Sequence, residues 1–149
     1  MRQAVRAIVV KDNQLLVMKR NKFGKQYYTL TGGGIELDED QETALRRELM
    51  EETGMQVGDV RLVYVEEPDA PYGTQFVYLC EYLGGEPALQ ADAIEAELTA
   101  KGDNTYDPLW LPATDLPSVD FVSGSLKSAL INALEKGFPI EPEYLNWHV

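Results

Sequence analysis

Residues 33–55 read GGIELDEDQETALRRELMEETGM. From Asp40 to Thr53 good helix formers predominate, and Leu45 and Leu49 lie four apart among charges, which predicts an amphipathic helix. Asp38 or Asp40 is placed to cap its start, and Gly54 to stop it. Residues three and four apart share a helical face. Glu48, Glu51 and Glu52 are therefore predicted to project three carboxylates toward one side, beside the leucine stripe that faces the core. Carboxylates held this close repel unless something positive sits among them. Hard divalent cations such as Mg²⁺ take oxygen ligands and keep waters and substrate phosphates in their remaining positions. The glycines before the helix let backbone approach the same point. Taken alone, the spacing also suits a solvated helix, with Glu42–Arg46 and Arg47–Glu51 as i, i+4 pairs worth a few tenths of a kcal/mol each.

Outward from this segment the chain alternates strand and helix signals. Ala4–Val10 and Leu15–Lys19 read as a β-hairpin around the turn Lys11–Gln14. Arg20–Gln26 is polar, Tyr27–Leu30 is a short strand, and Gly32-Gly33-Gly34 is expected to break regular structure. Val60–Glu67 and Thr74–Leu83 read as longer strands separated by the turn residues 68–73. Gly84–Asn104 is polar, with weak helical character around Ala91–Ala100, and Leu109–Leu111 is a last short strand. Ser123–Lys136 carries Leu126, Leu130 and Leu134 at helical spacing and ends at Gly137. Residues 138–149 are expected to lie extended on the surface. Strands before, between and after two helices imply an α/β fold with a mixed sheet and helices packed on it. No repeat or linker divides the chain, so residues 1–149 are expected to form a single domain.

The 149 residues carry a formal net charge of −12. Residues 1–61 hold ten basic and ten acidic side chains, and residues 62–149 hold three basic and fifteen acidic, so the whole surplus lies beyond the acidic helix. Such a balance argues against binding a nucleic-acid duplex, which needs a basic face, but not against a phosphorylated small molecule. The single cysteine, Cys80, cannot form an internal disulfide, which fits a reducing cytoplasm. No signal peptide or membrane span is expected. Cys80 lies in an apolar strand and reads as packing, and His148 lies too near the end of the chain to be expected in catalysis.

Residues 33–55 resemble the signature of the Nudix hydrolases, G-x5-E-x7-R-E-U-x-E-E-x-G-U with U apolar, of the MutT-like kind. Gly33, Glu39, Arg47, Glu48, Leu49, Glu51, Glu52, Gly54 and Met55 meet every fixed position. The resemblance implies the Nudix fold, a mixed sheet sandwiched between helices, and covers most of residues 4–136. It implies a pyrophosphatase in which water attacks phosphorus in a nucleoside diphosphate linked to another group. Glu48, Glu51 and Glu52 are then the metal ligands and catalytic carboxylates, with the Gly32 carbonyl a further ligand and Mg²⁺, or Mn²⁺ in its place, as cofactor. Glu39 and Arg47 tie the loop to the helix, and Gly33 and Gly54 are structural. Thr31 stands where members commonly have proline. Many members add an acid from the loop before the last strand; of Glu95, Glu97 and Asp103, Asp103 is favoured here.

Lys19, Arg20, Lys22 and Lys25 precede the glycine loop, and Arg20 is the candidate for substrate phosphates, since a guanidinium matches phosphate oxygens. Tyr27, Tyr28, Phe76 and Tyr78 are placed to stack on a base or to fill the core. Pro71 and Tyr72 together carry the subgroup marks of both ADP-ribose and dinucleoside polyphosphate hydrolases, so neither decides. The expectation leans to a small nucleoside triphosphate hydrolase. A non-catalytic nucleotide sensor and a cysteine-dependent isoprenoid diphosphate isomerase share the fold and stay as alternatives. A homodimer is compatible with the sequence.

Overall fold

Residues 2–68, 73–90 and 93–148 are described in the computed structural model. The first hairpin joins β1 (Ala4–Lys11) to β2 (Gln14–Lys22) through Asp12 and Asn13, both at positive φ. A two-residue turn of this hand matches the right-handed twist of the strands it joins. The two strands pair only beside the turn, at Val10–Leu15 and Lys11–Gln14, and then diverge. β2 runs on between β3 (Lys25–Thr29) and β7 (Asn104–Pro112), both antiparallel to it. β1 runs on between β4 (Thr31–Gly34), antiparallel, and β6 (Gln75–Tyr82), parallel. Beyond β6 lie antiparallel β5 (Val57–Glu66) and then parallel β8 (Glu143–Leu145). The sheet is mixed, as expected.

Alternation along β1 sends side chains to two cores. Val5, Ala7 and Val9 pack with Ala44, Leu45 and Leu49 of α1 (Gln41–Thr53). Ile8 belongs to the other core, with Leu126 and Leu130 of α3 (Gly124–Lys136). Burying Leu45 and Leu49 contributes roughly 1.5–3 kcal/mol each. Asp40, not Asp38, is the cap of α1: its carboxylate accepts from the Thr43 N–H at 2.8 Å. Gly54, at φ 72°, ends the helix with its N–H on the Met50 carbonyl.

Two expectations change. Gly32–Gly34 do not break regular structure; they form most of β4, with Gly32 opposite Arg6 and Gly33 opposite Val5. A Cβ on Gly32 would overlap the Val5 carbonyl oxygen, so only glycine lets β4 lie this close to β1. The last short strand extends to the nine residues of β7, because β2 pairs with it throughout. The helical character expected around Ala91–Ala100 is borne out as α2 (Ile94–Ala100). The C-terminal tail lies extended on the surface, as expected, and is tied down there: it adds the largely exposed β8, and then the Gly124 N–H donates to the His148 carbonyl at 3.0 Å. Pro71 and Tyr72 lie outside the described residues. Among the described residues no helix is long and apolar enough to cross a membrane.

Candidate active site

The helical repeat places Glu48 and Glu52 one turn apart on the inner side of α1, 8% and 4% exposed. β4 passes directly beside them. The Gly32 N–H donates to Glu52 Oε1 at 2.7 Å, and a Cβ on Gly33 would lie 2.5 Å from the Glu48 carboxyl carbon. Glycine at these positions thus sets how closely the loop strand meets both carboxylates. Burial pushes Glu48 above the usual carboxylate range, against the pull of Arg47. It pushes Glu52 up to about 8, against Arg6 and the Gly32 N–H. Among the described residues no Lys or Arg nitrogen lies within ion-pair distance of Glu52.

Glu51 does not join the other two. It is half exposed and accepts from Arg47 Nη1 at 3.3 Å, because Arg47 lies one turn back and is the positive charge it can reach. Among the described residues no three Asp, Glu, His or Cys side chains are gathered closely enough to hold a metal ion. The expectation of three convergent carboxylates is corrected to two, with Glu51 at the rim. The donors still fit a hard divalent cation. They are all oxygen, two are buried as like charges, and that burial is costly without a positive charge among them.

Arg47 organises the surroundings. Its Nε and Nη2 donate to both oxygens of Glu39, its Nη2 to the Gly34 carbonyl and its Nη1 to Glu48. Its guanidinium holds Glu39 down to about 2. Asp103 is exposed at the turn before β7, and its recorded contact is a backbone one, with Phe23. Beside the burial that dominates both shifts and the mutual repulsion of the box glutamates, the charge of Glu95, in the first turn of α2, adds to the rise of Glu48 and Glu52. Of the three acids outside the box, Glu95 rather than Asp103 is thus the one whose charge reaches it, from an α2 that packs against β7.

A cavity of about 490 Å³ is lined by Arg6, whose charge acts on Glu52, and by Arg20, Lys22, Tyr27, Glu66, Gln75, Ser123 and Trp147 among others. Arg20 is held by the Thr105 carbonyl and the Asn104 side chain, and its guanidinium stacks 3.7 Å from the centre of the Tyr106 ring. Arg6, which sequence reasoning passed over, donates to Gln75 Oε1 at 3.2 Å and pulls on Glu52 through its charge. A lone arginine in the apolar run Ala4–Val10 was the signal for it. Tyr28 and Phe76 pack in the cores, while Tyr78 donates to Gln41. Cys80 is buried, and burial pushes its thiol up to about 12, so it is not poised as a nucleophile.

A family model described as the NUDIX domain matches residues 1–126. The chain belongs to the NUDIX domain family. It is 38% identical over 99 residues to an ADP-ribose pyrophosphatase of Methanocaldococcus jannaschii, covering 63% of this chain and 59% of that one. It is 27% identical over 124 residues to the NAD-capped RNA hydrolase NudC of Vibrio atlanticus, covering 83% of this chain and 42% of that one. The chain thus spans less than two thirds of the length of these curated relatives. The crystal structure of a MutT NUDIX hydrolase from Burkholderia pseudomallei superposes with a TM-score of 0.64 at 26% identity, over 91% of this chain and 96% of that one.

Proposed function

We propose that this chain is a pyrophosphatase that hydrolyses a nucleoside diphosphate linked to another group, with all 149 residues acting as one domain. The observation that carries this reading is the pair of buried carboxylates, Glu48 and Glu52, under the charge of Arg6, which lines a cavity together with Arg20 and Lys22. Glu48 and Glu52, with the Gly32 carbonyl, would hold Mg²⁺ or Mn²⁺, and Glu51 would join them from the rim once it leaves Arg47. The bound cation would offset phosphate charge and lower the pKa of the attacking water. Arg6, Arg20 and Lys22 bind phosphate oxygens and orient the anhydride. Glu95 is the acid placed to take the proton of the attacking water, and Arg47 with Glu39 keeps Glu48 in position. The single free cysteine supports a cytoplasmic setting.

Of the substrate subclasses, the dinucleotide-like pyrophosphates gain support. The relatives compared are named for ADP-ribose and for NAD-capped RNA, and the cavity has aromatic walls, Tyr27 and Trp147, besides its cations. The test is a Mg²⁺-dependent hydrolysis screen over ADP-ribose, NAD-capped RNA, dinucleoside polyphosphates and nucleoside triphosphates. Turnover of ADP-ribose or the capped RNA is expected. Binding without turnover of any of them would indicate the nucleotide sensor instead.

A further inference from the structure

One buried charge in the cavity has no part in the chemistry above. Glu66, at the end of β5, is 1% exposed and lines the same cavity as the three cations. The Ser123 and Ser125 hydroxyls both donate to its Oε2 at 2.6 Å. Two donors fill the acceptor capacity of that oxygen. Among the described residues no donor meets Oε1 and no cation pairs with the carboxylate. The N-terminus of α3 beside it offsets part of the burial cost, and one accepting oxygen is left over.

Its position follows from the register. Glu66 on β5 sits opposite Gln75 on β6, and Gln75 accepts from Arg6 on β1. Arg6 in turn lies opposite Gly32, the donor to Glu52. The leftover acceptor is thus two strand spacings, about 10 Å, from the strand that carries the phosphate-facing arginine. Trp147 closes the same cavity. It is held there by β8 and by the His148 N–H, which donates to Ser125 Oγ at 3.2 Å. Trp147 lies beyond residues 1–126, which the family model matches.

We infer that Glu66 and Trp147 form a base-reading end of the cavity, where the Glu66 carboxylate accepts the single exocyclic amine of an adenine-type base. The inference rests on the proposed reading of the cavity as a nucleotide site. A guanine edge presents two adjacent donors and is best met by both oxygens of a carboxylate. Here the serines occupy one oxygen, which suits a base with one amine. The indole of Trp147 offers the stacking face. A ribose hydroxyl could donate to the same oxygen, and the probes below separate the two sources.

The test is titration calorimetry of the full chain, without metal, using adenosine, 2′-deoxyadenosine, guanosine and purine-riboside 5′-monophosphates. The two adenine nucleotides should bind alike, and the guanine and amine-free purine nucleotides about tenfold or more weaker. Glu66→Gln should weaken the adenine nucleotides by about tenfold and leave the amine-free one unchanged. Trp147→Ala should weaken all four. If adenosine monophosphate fails to bind the wild type, or if the loss follows the 2′-hydroxyl, the inference is overturned. A Glu66→Gln protein with a lowered Tm and the wild-type preference among bases overturns it too, since Glu66 would then only anchor α3. Because these are metal-free binding measurements, failure of hydrolysis in the screen above is a separate result.

Discussion

The Arg47 guanidinium faces the Glu39 carboxylate through two parallel hydrogen bonds, Nε to Oε2 at 2.7 Å and Nη2 to Oε1 at 2.9 Å. Such a fork fixes direction as well as distance. The same group also donates to the Gly34 carbonyl and to Glu48, so one side chain sets β4, the loop and the buried carboxylate against one another. Lysine keeps the charge and loses the fork. Arg47→Lys is expected to lower Mg²⁺-dependent turnover about 10- to 100-fold, the usual cost of losing an outer partner of a metal ligand. Circular dichroism of the variant should show its helices retained.

The same pair has a pH signature. Glu39 is held down to about 2 in the folded chain, against an ordinary value of 4.5. A lowered folded pKa stabilises the fold above the unfolded value, and that contribution is lost as pH falls through the folded one. In Glu39→Gln the contribution is absent at every pH. Melting curves of the two proteins should therefore differ at pH 7, with the wild type higher, and converge between about pH 4.5 and 2. A Tm difference that stays constant over that window would contradict the ion-pair account.

Glu52→Gln separates fold from function. The amide oxygen can still accept the Gly32 N–H that now meets Oε1, and burying a neutral group costs less than burying a carboxylate. The variant should fold with an undiminished Tm and lose at least about a hundredfold in hydrolysis. Mg²⁺ should raise the Tm of the wild type, by about 2.7 kcal/mol of stability at a hundred times its Kd, and leave the variant nearly unmoved. Retained turnover in Glu52→Gln would falsify the assignment of the buried pair as the centre of catalysis.

What could be read in advance divides along the range of the interactions. The cap at Asp40, the stripe Leu45–Leu49 and the stop at Gly54 are set within a few residues of chain, and α1 was legible from them. Gly32–Gly34 looked like a breaker because glycine lowers strand propensity locally. Its strand is created by β1, about 27 residues earlier, along which only a residue without Cβ can lie so close. Asp103 and Glu95 sit in one polar stretch with nothing local to choose between them; only the packing of α2 against β7 gives the Glu95 charge its reach to the box. Glu51 was misplaced for a related reason: helical spacing states which side a residue faces, but the nearest partner, Arg47, decides where its carboxylate goes. Glu66 and Trp147 line one cavity because β8 pairs with β5, and no spacing along the chain announces that.

Thr31 occupies the place where members with this signature commonly carry proline, and its buried hydroxyl has no hydrogen-bond partner among the described residues. A buried unsatisfied hydroxyl costs about 1–3 kcal/mol. Valine has nearly the same shape and suits a strand. Thr31→Val should therefore raise stability by about 1 kcal/mol, or the Tm by about 2–4 °C for a chain of this size. Thermal unfolding followed by circular dichroism measures it, and a lowered Tm would mean that the hydroxyl has a partner after all.

Gly33 and Gly34 are adjacent in β4, and neither has a positive φ, so alanine fits the backbone at both. What a Cβ would meet differs. At Gly33 it lies 2.5 Å from the Glu48 carboxyl carbon, in the buried wall of the site. At Gly34 it meets the side chain of Arg2, which is exposed and free to swing away. Gly33→Ala should force Glu48 out of its position and lower Mg²⁺-dependent turnover by about 10- to 100-fold, the range found when the support of a metal ligand is disturbed. Gly34→Ala should keep turnover within about threefold, since a surface change of this kind shifts energies by less than about 0.5 kcal/mol. Equal losses in the two variants would show that the loop needs glycine for its backbone alone, and a loss confined to Gly33→Ala would show that it needs room for Glu48.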